Sequence, residues 1–263
     1  AVCFAQETTG GLQGRVVGGA GDPVPFADVV VSSPDLQGSR EATSKSDGRF
    51  LILELPVGVY SLTISHASHH DLTYEDVLVQ LGRMTSLADI ELTPKIHQMP
   101  DMVVYATPPL IDPTSTYIGA NLGAAVYTAL PIERDYRSVT VLLPHVNESF
   151  LGDGIGTAGG TGLENKYFID GIDVTEPIEG GPGTNLPYNF IREVQVKTGA
   201  YEAEYRSSLG GVVNVVTHSG GDEIHGQGFG FFINNQFTRG ARKGAFEPNT
   251  GDFAHYDAGF SIG

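Results

Sequence analysis

Between Gly11 and Thr93, apolar and polar residues alternate in short runs separated by turn residues. Tyr60, Leu62 and Ile64 fall on one face of an extended chain, with Ser61, Thr63 and Ser65 on the other. Ala88, Ile90 and Leu92 alternate in the same way with Asp89 and Glu91. A period of two marks strands with one buried face. The pattern predicts seven strands: Leu12–Val17, Ala27–Ser32, Arg40–Lys45, Arg49–Glu54, Val59–Ser65, Glu75–Leu81 and Leu87–Thr93. Ser46-Asp47-Gly48 and Pro56-Val57-Gly58 supply turn chemistry between neighbouring runs. Short strands at regular turn spacing predict a seven-stranded β-sandwich over residues 11–94, behind a disordered terminus at 1–10.

The alternation lapses over residues 95–121. Pro94, Pro100, Pro108, Pro109 and Pro113 are too frequent for a regular element, so this stretch reads as a linker. Inside it lies one apolar run, Met102-Val103-Val104-Tyr105-Ala106. Two readings fit it: an extended segment that adds to a partner's sheet edge, or a last strand of the sandwich. Residues 122–146 read as broken helix, Gly123–Leu130 and Arg134–Leu143, interrupted by Pro131 and closed by Pro144. Three short strand-like runs follow, Lys166–Ile169, Ile191–Lys197 and Gly211–Thr217, each closed by a turn. Tyr167, Ile169, Val194, Val196, Val213 and Val215 are expected in a core. Gly199, Gly210 and Gly211 are expected at positive φ or at close strand approaches. After residue 222, Phe229, Phe231 and Ile233 alternate with Gly228, Gly230 and Phe232, and Tyr256, Ala258, Phe260 and Ile262 alternate with polar or small neighbours. Aromatic-rich alternation of this kind is the signature of outer-membrane barrel strands.

Composition narrows the function classes. The 263 residues carry a net charge of −16, whereas nucleic-acid binding wants a Lys/Arg surplus, so no nucleic-acid partner is expected. Cys3 is the single cysteine, which leaves no internal disulfide. Ala1-Val2-Cys3-Phe4-Ala5-Gln6 has the small-residue spacing of a secretory-signal tail cut before Gln6. No apolar run reaches the ~18 residues of a spanning helix, so a membrane role would use strands or a partner.

Some motifs are specific beyond their pattern. Tyr167-Phe168-Ile169-Asp170-Gly171, Ile191-Arg192-Glu193-Val194, Gly199 to Tyr205, and Gly210-Gly211-Val212-Val213-Asn214-Val215-Val216-Thr217 together resemble the plug domain of TonB-dependent outer-membrane receptors of the Oar-like and SusC-like type. Ala129-Leu130-Pro131 and Arg134-Asp135-Tyr136 resemble the start of that plug. Gly14-Arg15-Val16, Pro25 to Val29, Ser46 to Phe50 and Leu55 to Tyr60 resemble the carboxypeptidase-regulatory-like domain, an accessory sandwich without catalytic residues. The resemblance implies a plug over 122–222 and the first strands of an incomplete barrel over 223–263. The plug-motif residues are Tyr167, Ile169, Asp170, Gly171, Glu193, Gly199, Tyr205, Gly210, Gly211 and Asn214. The run Met102, Val103, Val104, Tyr105 and Ala106 becomes the candidate TonB box.

The implied partners are TonB with its inner-membrane energising complex, outer-membrane lipid through a barrel, and an unidentified nutrient or macromolecular substrate. The implied location is the Gram-negative outer membrane, with sandwich and linker on the periplasmic side. The Gly152–Gly162 and Gly180–Gly183 loops become candidates for substrate contact. A closed barrel of ~22 strands, at ~9–11 residues each, does not fit after residue 225, so the chain is expected to be the N-terminal part of a longer receptor. The alternative is a soluble periplasmic or surface binding or adhesion module.

Catalytic and metal readings are weak. His66, His69, His70 and Asp71 cluster, but zinc wants three or four well-placed ligands, and a polar loop is the simpler reading. Asp153, Asp170 and Asp173 lack the spacing of a calcium loop. Gly154 to Gly159 matches G-x-G-x-x-G without the surrounding strand and helix of a dinucleotide site. Ser207-Ser208 lies in no nucleophile elbow, and no H-E-x-x-H motif is present. Neither an enzyme activity nor a cofactor is expected.

Overall fold

The computed structural model describes residues 8–95, 102–105, 116–128, 130, 135–149, 154–205, 208–221, 224, 226–234 and 254–262. It is β-rich, with two short α-helices among the described residues.

The N-terminal region is sandwich-like. Its strands are β1 (Thr9–Gly18), β2 (Asp28–Ser32), β3 (Ser39–Thr43), β4 (Arg49–Pro56), β5 (Gly58–His66), β6 (His69–Val79), β7 (Met84–Leu92) and β8 (Met102–Tyr105). One sheet has the order β4-β1-β7 and the other β3-β2-β5-β6-β8. All seven expected strands are present. Alternation decides which side chains enter the core. In β4, Phe50 and Ile52 are buried while Leu51 and Leu53 stay exposed; in β5, Tyr60, Leu62 and Ile64 point inward. Leu12, Val29, Val79 and Ile90 complete the packing between the sheets. The Ser46-Asp47-Gly48 turn is confirmed by Gly48 N–H donating to the Lys45 carbonyl and Arg49 N–H to the Asp47 carboxylate.

Among its described residues the expected linker contains two regular elements. Met102–Tyr105 is a strand, parallel to β6, in register with Leu72–Glu75. Proline flanks this run at Pro100 and Pro108 but does not interrupt it, so its β-prone residues are free to pair. Ala106 lies outside the described residues. The second element, β9 (Ile118–Gly123), crosses the expected boundary at residue 121.

A second unit follows. After β9 come α1 (Ala124–Thr128), α2 (Tyr136–Thr140), β10 (Val146–Glu148), β11 (Ile155–Thr157), β12 (Lys166–Ile169), β13 (Ile172–Asp173), β14 (Ile191–Gly199) and β15 (Val212–Thr217). Both expected helices are shorter than the pattern suggested. Residues 131–134 lie outside the described residues, and α2 is set by its cap: the Asp135 carboxylate accepts the Ser138 N–H. The glycine-rich stretch after residue 150 is not all loop, because β11 pairs with β10. The central sheet runs β13-β12-β15-β14-β9, parallel between β12 and β15 and antiparallel elsewhere. Asp170 and Gly171, both at positive φ, make the tight turn between β12 and β13.

One face of this sheet packs on the helices. Val194, Val196, Val213 and Val215 are fully buried against Tyr127, Tyr136 and Val139. Tyr167 joins them, and Ile169 is half-buried at their margin. The opposite face is buried too, although it carries Glu193, Gln195, Lys197 and Asn214.

The last pair is a hairpin of β16 (Gly226–Asn234) and β17 (Ala254–Ile262). Its register revises the expected faces. Phe232 opposes Tyr256, so Phe232, Tyr256, Phe260 and Ile262 share one face, and Tyr256, Phe260 and Ile262 are 74–78% exposed. Phe229 and Phe231 lie on the other face, where the Phe229 ring meets Phe190 of the central sheet's unit at 6.1 Å.

Candidate functional site

Strand β14 connects the two units. Its polar residues recur at every second position, Glu193, Gln195 and Lys197, so all three face away from the helices. There Glu193 and Gln195 meet the β6–β7 turn of the sandwich. The Glu193 carboxylate accepts the Leu81 N–H at 3.1 Å, and Gln195 Nε2 donates to the Leu81 carbonyl at 2.8 Å. Asn121 Nδ2, on β9, donates to the same carbonyl at 3.1 Å and also to Glu193. Both backbone polar groups of one buried residue are thus held by side chains of the second unit. Tyr117 extends the network: its hydroxyl accepts from Arg83 Nε at 2.9 Å and donates to Asn121 at 2.9 Å. Around this grip, Leu81 packs with Val57 and Val216, and Arg192 forms a 2.6 Å ion pair with Asp35. Burial raises the Glu193 carboxyl above its usual range, opposed by the hydrogen bonds from Asn121 and Leu81 and by Arg83 and Arg192.

Lys197 is 1% exposed. Its ammonium donates to Glu202 at 2.8 Å and to the Tyr205 hydroxyl at 3.3 Å, and lies over the rings of Tyr205 and Tyr117 at 4.5 and 4.8 Å. A buried cation needs such a cage. Burial alone would raise the Glu202 carboxyl, but the hydrogen bond and charge of Lys197 carry it below its usual range.

The remaining motif residues hold the sheet together. Asn165 Oδ1 accepts from Gly211 N–H at 2.8 Å and from Thr157 Oγ1 at 2.6 Å. A Cβ on Gly210 would stand 2.5 Å from Asn165 Oδ1, and one on Gly211 would stand 2.8 Å from Thr157. These two glycines therefore serve close approach. Gly199 does not: a Cβ there would meet only Ile118 Cδ1 at 4.0 Å, and its φ is not positive. The Asp170 carboxylate accepts from the Thr217 N–H and hydroxyl at 2.9 and 2.8 Å, tying the β12–β13 turn to the end of β15. Asn214 is fully buried opposite Gln195.

The structure brings Glu193, Tyr205 and Asn214 to one face of the sheet, and Asp170, Gly171, Gly210 and Gly211 to its turns. It places Met102–Tyr105 apart from them, on the sandwich. Sequence reasoning missed Leu81, Tyr117, Asn121, Gln195 and Lys197. The signal for the last two was present as a period-two polar row through a β-prone run. Leu81 carries no such mark, since a leucine in a turn looks alike whether or not its peptide is gripped.

His66 and His69 do meet, Nδ1 to Nδ1 at 2.9 Å, with Ser68 Oγ 3.1–3.2 Å from both. Burial, His66 and Lys95 lower the His69 pKa. Among the described residues no group of three or more His, Cys, Asp or Glu is arranged to hold a metal.

Residues 11–93 match the family model of the carboxypeptidase regulatory-like domain. The chain carries that domain. In an alignment of 239 positions that covers 86% of this chain, it is 31% identical to the TonB-dependent transporter Oar of Myxococcus xanthus, and it spans 22% of that protein's length. Among solved structures, the siderophore receptor PirA of Pseudomonas aeruginosa overlaps 44% of this chain and 21% of its own, at 23% identity and a TM-score of 0.34. A catechol 1,2-dioxygenase from Acinetobacter overlaps 40% of this chain and 60% of its own, at 11% identity and a TM-score of 0.26. Both superpositions are too loose to carry a functional argument. The homology that counts is to a transporter, and the regulatory-like sandwich lies at residues 11–93 of this chain.

Proposed function

We propose that this chain is the N-terminal part of a TonB-dependent outer-membrane receptor. Residues 11–94 form the periplasmic accessory sandwich, 102–106 the TonB contact, 122–222 the plug, and β16–β17 the opening strands of the barrel. TonB engages the 102–106 segment and, energised from the inner membrane, pulls on the tether that leads into the plug.

The observation that carries this reading is the place of β9. Among the described residues it is the first element after the tether and the edge strand of the central sheet, paired on one side only, to β14. A pull from residue 105 reaches β9 before any other strand of the plug. An edge strand is held by one ladder, so it leaves before strands held by two. Its departure also removes Asn121 from the Leu81 grip and exposes β14. Substrate is taken up through the opened path; its identity rests with parts of the receptor outside these residues.

The exposed row Tyr256, Phe260 and Ile262 supports the barrel assignment, because lipid-facing strands carry apolar residues at every second position. The other face of the hairpin, through Phe229, meets the plug unit at Phe190.

Calorimetric titration with the purified periplasmic C-terminal domain of TonB tests the reading. The 263-residue chain should bind, and deletion of Met102–Ala106 should abolish binding while the sandwich remains folded. Equal binding by the deletion variant would sink the assignment.

A further inference from the structure

Strands β5 and β6 are joined by Ala67 and Ser68, and the residues that close this turn are His66 and His69, register partners across the pair. Directly opposed residues of an antiparallel pair put their side chains on one face. The two imidazoles therefore come together beside the serine that separates them.

The result is a triangle of donor atoms. His66 Nδ1 and His69 Nδ1 stand 2.9 Å apart, and Ser68 Oγ lies 3.1 Å from the first and 3.2 Å from the second. Both histidines are half-buried. Two imidazole nitrogens at that distance share one proton, so one ring donates from Nδ1 and the other accepts there. Burial first, then His66 and Lys95, lower the His69 pKa. A neutral imidazole is the form that binds metals.

Imidazole nitrogen suits zinc, copper and nickel, whereas calcium and magnesium take oxygen. Tetrahedral ligands at the ~2.0–2.1 Å of a Zn–N bond lie about 3.3 Å apart, so the triangle needs to open by roughly 0.1–0.4 Å to receive an ion. The ring that carries its proton on Nδ1 moves it to Nε2. Both rings then offer a lone pair and stay neutral.

We propose that the Nδ1 atoms of His66 and His69, together with the Ser68 hydroxyl, bind one divalent transition-metal ion of the zinc and copper class, with water completing its coordination. Two imidazoles in place of the three or four protein ligands of a structural site make this an exchangeable surface site. The same turn holds the chain where it leaves the sandwich. Lys95 N–H donates to the Ser68 carbonyl at 3.0 Å, His70 N–H donates to the Thr93 carbonyl at 2.9 Å, and Pro94 bridges to His69. An ion clipped across the turn braces the start of the tether. The site stands on the sandwich alone and does not depend on the receptor reading.

Calorimetric titration with zinc chloride and, separately, copper(II) sulfate tests it. The chain used carries Cys3→Ser, which removes the thiol as a competing ligand. The inference predicts a saturable site for one ion, tighter for copper(II), in the usual order of divalent affinities. His66→Ala and His69→Ala should each weaken it by at least about tenfold. His70→Ala should leave it within about twofold. A second readout needs no variant of the turn: substoichiometric copper(II) should broaden the amide resonances of residues 66–69 before any others. Absence of a saturable site for either ion would overturn the inference. So would a site that keeps its affinity in the His66→Ala/His69→Ala double variant, or broadening that begins elsewhere in the chain. A loss as large in His70→Ala as in the other two would overturn the choice of ligands.

Discussion

Glu193 shows how a single buried carboxyl can serve as a structural acceptor. It is 3% exposed and receives hydrogen bonds from Leu81 N–H and Asn121. Burial raises its pKa above the ordinary 4.5, so the folded state holds the proton more tightly than the unfolded state does. The stability linked to this group is fully present below the ordinary value and is lost as pH rises through the raised one. Glu193→Gln retains an acceptor oxygen and removes the titration. Melting curves should therefore show the variant losing less stability than the parent between the ordinary glutamate pKa and alkaline pH; parallel slopes would count against the assignment. Gly211 makes a steric claim of the same kind. Gly211→Ala places a methyl group 2.8 Å from Thr157, and denaturant titration should show a loss of about 1–3 kcal/mol. A neutral result would mean that the Thr157 strand yields freely.

At the scale of elements, the turn at Leu81 is the joint between the sandwich and the second unit. Leu81 is fully buried and packs with Val57 and Val216, one from each unit. Leu81→Ala removes that packing and should cost about 2–5 kcal/mol. Because the loss falls on the joint, unfolding followed by two probes, one in each unit, should separate into two transitions. Coincident transitions at an unchanged midpoint would show that the joint carries little energy.

The same scale shows what the sequence could reveal. The seven expected strands of the eight-stranded sandwich are visible in the sequence, and all of them except the largely exposed β3 set one face in a core and one in water. So are β12, β14 and β15, whose apolar residues Tyr167, Val194, Val196, Val213 and Val215 declare a buried sheet. Strand β9 is not visible: Ile118-Gly-Ala-Asn-Leu-Gly has weak β propensity, and it is a strand because β14 supplies a ladder to pair with. The helices are overstated by their apolar stripe, since α2 stops at Thr140. The grip on Leu81 is tertiary: it depends on a turn 112 residues away from Glu193 in the chain. The polar row Glu193, Gln195 and Lys197 is legible as a period, whereas the partners that satisfy it are not.

At the scale of the whole molecule, the order of parts becomes a line of force. The tether from residue 105 leads to β9, β9 lies on β14, and β14 holds both the sandwich turn and the caged Lys197. On this account the plug opens from one edge, and the accessory sandwich is a part of the latch as well as a landing site. Single-molecule pulling between handles at Tyr105 and Thr217 tests this most directly. The account predicts a first, low-force step that frees β9, whose six residues release roughly 20 Å of chain beyond the tether itself, with β12, β14 and β15 still paired. Rupture of the entire central sheet in a single event, with no earlier step for β9, would contradict it.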